Sequence, residues 1–131
     1  MSMQPRLKSF VFYWLPLLVY CLLIYFQSDY PSPEKLPSFK FMDKALHFVG
    51  YGVMGILFFR AYQTLRIKNR PKMLILLSIV SASLYGISDE IHQHFVPYRN
   101  ADFFDVIANI LGAVCGVYFF QLWVSQRGHA G

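Results

Sequence analysis

Residues 10–26 read FVFYWLPLLVYCLLIYF, a run of seventeen residues that contains no charge and is interrupted only by Pro16. A helix needs about 20 residues, each rising about 1.5 Å, to cross the hydrocarbon of a bilayer. Three further apolar runs follow, at residues 45–62, 73–88 and 103–124. Because these runs are apolar on all sides, whereas a soluble helix has a polar face, the sequence predicts an all-α, polytopic membrane protein with four transmembrane helices.

The third run is too short to cross the membrane by itself, which affects where its helix must end. Residues 73–88 supply sixteen residues without a charge, so we expect the helix to continue through Asp89, Glu90 and Gln93 and to end before Pro97. Two carboxylates then lie within the outer turns of a transmembrane helix. We predict a single domain, 1–131, in which the first span is retained rather than cleaved as a signal peptide. The predicted spans are residues 9–27, 44–63, 73–95 and 103–124.

The distribution of charge predicts the orientation of these spans. Basic residues lie before the first span, at residues 66–72 between the second and third, and after the fourth, so the positive-inside rule places both termini in the cytoplasm. All seven acidic residues fall on the opposite, outer side. Despite the net charge of +5, we expect segment 66–72 to contact lipid headgroups and not nucleic acid, because it lies between two spans and has no interleaved aromatic residues. A composition that is 56% hydrophobic and 15% charged excludes a disordered chain.

Three groups of polar residues lie in or beside the spans on the predicted outer side. Asp43 and His47 share one face of the second helix, and Asp89 and Gln93 share one face of the third. Ionisable groups in a span are costly unless they face the bundle interior and pair with one another. We therefore predict an outward-opening polar pocket between the second, third and fourth spans. Its expected residues are Asp43, His47, Asp89, Glu90, Gln93, Arg99, Asp105 and Asn109.

Some of these residues have simpler explanations. Asp43 and Asp102 stand where helices are expected to begin, and a carboxylate there caps free N–H groups. Lys44 is expected to extend towards the headgroups, and Asn109 can be a polar link between helices. Gly112-x-x-x-Gly116 permits close helix contact, either within the chain or in a homodimer, and we favour contact within the chain.

Capping does not account for Asp89, Glu90 and Asp105 together, because Arg99 and His47 supply only part of the counter-charge that they need. In one solution a carboxylate stays protonated and serves as a general acid or base. The candidate catalytic residues are then His47, Asp89, Glu90 and Asp105. In the other, a divalent cation or a cationic substrate balances the charge. No metal-ligand spacing motif is present, so we predict no metal or other cofactor, although Asp89, Glu90 and His47 are the candidates if there is one.

These polar patches together resemble the VanZ-like family of small bacterial membrane proteins. The resemblance covers residues 43–116, and Tyr98 departs from it because the family pattern usually has Gly before the Arg. It rests on Asp43-Lys44-Ala45-Leu46-His47-Phe48, Tyr51-Gly52, Ser88-Asp89-Glu90-Ile91-His92-Gln93, Phe95-Val96-Pro97, Arg99, Asp102, Asp105-Val106, Asn109, Gly112 and Gly116. The namesake is associated with resistance to the glycopeptide teicoplanin through an unknown mechanism. The resemblance therefore implies a multi-pass protein of the bacterial inner (cytoplasmic) membrane that acts on the cell envelope, and it maps the family's polar residues onto the predicted pocket.

Three functions remain open at this stage. The first is an envelope protein that changes how glycopeptides engage cell-wall precursors. The second is an intramembrane enzyme acting on a lipid or lipid-linked headgroup, with Glu90 or Asp89 as the acid–base residue and Arg99 as an anion clamp. The third is a non-catalytic scaffold or a transporter subunit, in which a homodimer would enlarge the small number of spans. The expected partners are membrane lipids and a cell-wall precursor or lipid headgroup.

Overall fold

A computed structural model describes residues 2–29, 39–96 and 102–129 of the chain. Four long helices span Pro5–Ser28, Phe39–Tyr62, Pro71–Phe95 and Phe103–His129, and the described residues contain no strand. A short 3-10 turn, Arg66–Asn69, joins the second helix to the third. Each of the four is long and apolar enough to cross a membrane. The prediction of an all-α, four-span membrane protein is confirmed, and the orientation of its termini stays a prediction.

Two helix boundaries bear on the site. The third helix continues through Asp89 and Glu90 to Phe95, and Val96 is already extended, as a residue that precedes proline prefers. The second helix begins at Phe39, before the predicted residue 44. Asp43 therefore lies inside that helix, and the interpretation of Asp43 as a helix cap is wrong. Residues 30–38, which link the first and second helices, and residues 97–101, which link the third and fourth, lie outside the described residues.

The first helix contains a turn of π-helix, Phe10–Trp14, directly before its proline. Pro16 has no N–H to give to the carbonyl of Phe12, four residues earlier, and its ring would crowd that carbonyl in a regular helix. The wider π turn relieves the crowding. The Phe12 oxygen instead accepts a hydrogen bond from Arg60 Nη2 at 3.3 Å. A side chain of the second helix thus compensates a local defect that the sequence of the first helix imposes.

The bundle is apolar outside and carries polar groups inside. Side chains such as Leu46, Leu76 and Phe119 are exposed, whereas Asn109 and Ser78 are fully buried. A soluble protein rarely leaves so much apolar surface in water, but the pattern suits a surface that lipid covers. The first helix is the least buried, with 6% of its span inside the bundle against 28–33% for the others. Hydrogen bonds help to hold it, including that from Tyr20 Oη to the Gly50 carbonyl at 2.6 Å.

The second and fourth helices make the most extensive contact in the bundle. Gly52 packs against Gly112 and Gly116, and a Cβ atom at Gly112 or Gly116 would overlap the backbone of Phe48 or Gly52. Small residues let two helix backbones approach in lipid, where packing supplies much of the association energy. The Gly112-x-x-x-Gly116 motif therefore serves contact within the chain, as favoured from the sequence. A homodimer, which the sequence left open, would need a different surface.

We expect Gly112→Ala to destabilise the protein by about 1–3 kcal/mol, because the added methyl group overpacks a backbone contact that cannot rotate away. Gly128→Ala is the matched control, since nothing lies within 4 Å of its added Cβ. The control should be neutral or slightly stabilising, as Ala favours helix over Gly. The free energy of unfolding, measured by SDS titration in detergent micelles, checks both. Equal values for the two variants would contradict the assigned contact.

Candidate functional site

The first group of polar side chains, the Asp89 cluster, consists of Ser28, Tyr51, Asp89 and Gln93. The Asp89 carboxylate is 7% exposed. One of its oxygens, Oδ1, accepts a hydrogen bond from Ser28 Oγ. The other, Oδ2, accepts from Tyr51 Oη at 3.0 Å and from Gln93 Nε2 at 3.5 Å. Side chains from three helices thus share the hydrogen bonding of one carboxylate, which is how a buried charge is tolerated.

Helix geometry explains why these residues meet. Ser28 is the last residue of the first helix, and Asp89 and Gln93 lie one turn apart near the end of the third. Gln93 Nε2 also reaches Ser28 Oγ at 3.3 Å. The cluster therefore joins the end of the loosely packed first helix to the rest of the bundle.

The second group, the Asp105 cluster, consists of Asp43, Lys44, His47, Asp102, Asp105 and Asn109. Lys44 Nζ donates a hydrogen bond to Asp102 Oδ2 at 2.7 Å and another to Asp105 Oδ1. The expectation that Lys44 extends towards the headgroups is wrong, because two carboxylates of the fourth helix draw it inwards. Asp102 does cap its helix as predicted, since its Oδ1 accepts the N–H of Phe104 at 2.9 Å.

His47 lies at the centre of the Asp105 cluster. Its Nδ1 is 2.9 Å from Oδ1 of the fully buried Asn109. Its Nε2 faces Asp43 Oδ1 at 3.8 Å and Asp105 Oδ2 at 3.7 Å. The second and fourth helices thus bring together four of the residues that the sequence predicted as a pocket: Asp43, His47, Asp105 and Asn109.

A cavity of about 350 Å³ lies between the first, second and third helices. Of the eight predicted pocket residues, Asp43, His47 and Asp89 line it, and Asp105 and Asn109 stand behind His47. The first helix supplies one wall of the cavity, which includes Ser28, although the sequence predicted no part for this helix in the pocket. The two clusters therefore border a single cavity, with the Asp89 cluster at one side and the Asp105 cluster at the other.

Glu90 lies apart from this cavity, in a cleft of about 340 Å³ between the third and fourth helices. Its Oε2 accepts the backbone N–H of Asp102 at 3.3 Å. Its buried Oε1 has no hydrogen-bond partner within the described part of the chain. Arg99, the predicted anion clamp, lies outside the described residues.

The site also contains residues that sequence reasoning missed, namely Ser28, Lys44 and Tyr51. Tyr51 lies one turn after His47 in the second helix, and this spacing was a usable signal. Ser28 carried no signal, because a serine at the end of a span is also typical of a loop. A long side chain near the end of a span can point outwards or inwards, and the direction of the Lys44 side chain depends on where Asp102 and Asp105 lie.

Within the described part of the chain, the site carries more negative than positive charge. The Asp105 cluster has three carboxylates and one ammonium group, and Asp89 adds a further carboxylate across the cavity. Such a site suits hydroxyl groups, ammonium groups or a metal cation more than an isolated anion. Comparisons with known proteins supplement this geometry.

A family model described as VanZ/LLP1 matches residues 7–124. An uncharacterized protein of the fission yeast Schizosaccharomyces pombe is 28% identical over 85 residues, which are 65% of this chain and 50% of that protein. The chain thus spans about half the length of this curated relative. No solved structure matches the chain.

We expect Tyr51→Phe to destabilise the protein by about 1.5–3 kcal/mol, because it removes a hydrogen bond to a buried carboxylate. Tyr118→Phe is the control, since Tyr118 is 49% exposed on the outer face of the fourth helix. The free energy of unfolding in detergent checks this. A loss at Tyr118 as large as that at Tyr51 would show that Asp89 does not depend on the Tyr51 hydroxyl.

The hydrogen bond from Lys44, supported by the N–H of Phe104, holds the pKa of the Asp102 carboxyl below its ordinary value. A carboxyl whose pKa is lower in the folded state stabilises the fold above its unfolded pKa, about 3.9. That contribution is lost as the pH falls through the folded value. Asn caps a helix as well as Asp does, so Asp102→Asn isolates the charge. We expect the stability difference between wild type and Asp102→Asn to be largest near neutral pH and to shrink in acid; a constant difference would contradict it.

Proposed function

This chain belongs to the VanZ/LLP1 family, and we propose that it binds the polar headgroup of a membrane lipid or lipid-linked envelope component in the cavity between its first three helices. The observation that carries this proposal is that both polar clusters border one cavity, with Asp43, His47 and Asp89 in its lining. Other parts of the same cavity lining are apolar and include Leu23, Leu46 and Val49. A ligand with a polar head and an acyl chain matches that division.

The apolar lining supports a lipid in preference to a water-soluble ligand. Leu23, Leu46 and Val49 line the cavity, and each is 60–61% exposed on the outer surface of the helices. The cavity is therefore continuous with the surface that faces the acyl chains. A lipid can place its chain against these residues while hydroxyl or ammonium groups of its head reach the carboxylates. The first helix, which is the least buried, forms the wall on the side from which such a ligand would enter.

The charge distribution and the family resemblance extend this proposal to a biological role. With basic residues in the cytoplasm, the cavity opens in the outer leaflet of the bacterial cytoplasmic membrane. Glycopeptides engage cell-wall precursors on that side. Binding of an envelope component there would alter this engagement and lower susceptibility to teicoplanin, as the resemblance to VanZ implies.

Acid–base catalysis on the bound headgroup is the second candidate function. It is favoured by Asp89, a buried carboxylate at the cavity wall that accepts hydrogen bonds from the hydroxyl groups of Ser28 and Tyr51. A carboxylate in that position can take up a proton from a substrate hydroxyl that replaces one of them. Glu90 fits this role less well, because it lies in the separate cleft.

The proposal is tested by expressing the wild type, Asp89→Asn and Asp29→Asn in a teicoplanin-sensitive Gram-positive host. We expect the wild type to raise the inhibitory concentration of teicoplanin and Asp89→Asn to lose the effect, because Asn cannot accept the same hydrogen bonds on both oxygens. Asp29→Asn is the matched control and should retain the effect. Asp29 is a carboxylate at the same end of the bundle, but it is 47% exposed and contacts His92 outside the cavity.

Lipid extracts from the same cells separate the two candidate functions. A lipid that is consumed or formed with the wild type, but not with Asp89→Asn, supports catalysis. Identical extracts with a changed inhibitory concentration support binding alone. An unchanged inhibitory concentration, with wild-type protein present in the membrane, contradicts the proposed role in teicoplanin susceptibility.

A further inference from the structure

We infer that Asp43, His47 and Asp105 form a binding site for one divalent transition-metal ion of the series from Mn²⁺ to Zn²⁺. One ligand atom from each residue lies within 4.8 Å of the other two. The second helix supplies Asp43 and His47, one turn apart, and the fourth supplies Asp105. This inference goes beyond the proposed function and does not depend on it.

The distances from His47 Nε2 to the two carboxylates are those of ligands that share a metal. His47 Nε2 is 3.8 Å from Asp43 Oδ1 and 3.7 Å from Asp105 Oδ2. Both separations exceed the range of about 2.7–3.2 Å for an N–H···O hydrogen bond. Two atoms that each lie about 2.1 Å from a tetrahedral metal are about 3.4 Å apart, and further apart at wider angles. A cation between the three atoms therefore suits both distances to His47, and the two carboxylate oxygens lie within 4.8 Å of each other.

The hydrogen bond at the other ring nitrogen prepares His47 for this role. Nδ1 lies 2.9 Å from the Asn109 carbonyl oxygen, which can only accept. Nδ1 therefore carries the proton, and the Nε2 lone pair of a neutral ring points between two carboxylates. A neutral ring in this arrangement needs a cation between the three atoms, whereas a protonated ring would pair with the two carboxylates directly. Histidines that bind metals almost always donate their second N–H in this way, which fixes the ring and its tautomer.

The charges of the cluster leave room for a divalent ion. Among the described residues, three carboxylates, Asp43, Asp102 and Asp105, face a single ammonium group, that of Lys44, which leaves two negative charges. Lys44 bonds to Oδ1 of Asp105 and leaves Oδ2 facing His47. The Asp105 side chain is 6% exposed, and its Oδ2 lies 3.7 Å from His47 Nε2. Negative charge held at a nearly buried carboxylate is costly, and a cation beside it offsets that cost.

The ligand set selects the class of metal. One imidazole and two carboxylates suit the borderline ions from Mn²⁺ to Zn²⁺ better than Ca²⁺ or Mg²⁺, which take oxygen ligands. Three protein ligands leave at least one coordination position open. Asp43 and His47 also line the cavity, so that position faces the space in which a polar headgroup would lie.

The test uses the full chain purified in detergent, treated with a chelator, and reloaded with Zn²⁺ or Mn²⁺. We expect one ion per chain by elemental analysis and a rise in Tm on reloading, because the ion binds the folded state. Asp105→Asn and His47→Gln each remove one ligand. Loss of a residue that only supports a metal ligand weakens metal affinity about 10–100-fold, and each of these two substitutions should weaken it more.

Two variants serve as controls for this experiment. Asp29→Asn alters a different His–Asp pair at the same end of the bundle, in which His92 Nε2 and Asp29 Oδ1 lie 2.7 Å apart, a hydrogen-bond distance. This variant should keep the ion. Asp89→Asn should also keep the ion although it loses the proposed headgroup binding, so the failures of the two proposals are distinguishable. A folded wild-type protein that binds neither Zn²⁺ nor Mn²⁺ would overturn the inference. So would equal loss of metal in Asp29→Asn and Asp105→Asn.

Discussion

The close contact between the second and fourth helices is the constraint on which the rest of the structure depends. Where Gly52 meets Gly112 and Gly116, no side chain separates the two backbones. One or two turns nearer the acidic end, the same approach brings Lys44 to Asp105 and His47 to Asn109. A wider helix pair would leave these polar groups facing lipid, where each unsatisfied group is costly. Packing of small residues thus makes the charged cluster possible.

The first helix packs more loosely against the bundle than the other three helices do. It shares little buried surface with the others and is joined to them by individual hydrogen bonds, such as those of Tyr20 and Ser28. Such a helix can separate from its neighbours at lower cost than the second or fourth, because fewer packed atoms are lost. Its place beside the cavity makes it the element whose movement would admit a lipid. Asp43, His47 and Asp89 would then stay on the second and third helices, whereas Ser28 would move with the first.

The sequence predicted the parts of this structure that depend on one helix at a time. The length of the third apolar run required a helix through Asp89 and Glu90, and the spacing of Asp43 and His47 placed both on one face. It could not predict how the helices pack around one another. The pocket was predicted between the second, third and fourth spans, whereas the observed cavity is lined by the first, second and third helices, and the fourth helix contributes only the residues behind His47. Ser28 and the inward direction of Lys44 depend on that packing, so neither could be read from local pattern.

The central claim is that two polar clusters face one cavity that receives a polar headgroup from the membrane. An experimental structure of the full chain in lipid nanodiscs made from native lipids tests it most directly. The account predicts headgroup density in contact with Asp43, His47 or Asp89, and an acyl chain along Leu23 and Leu46. Two findings together would contradict this claim: a first helix packed tightly against the second, and these side chains directed away from one another with no density between them.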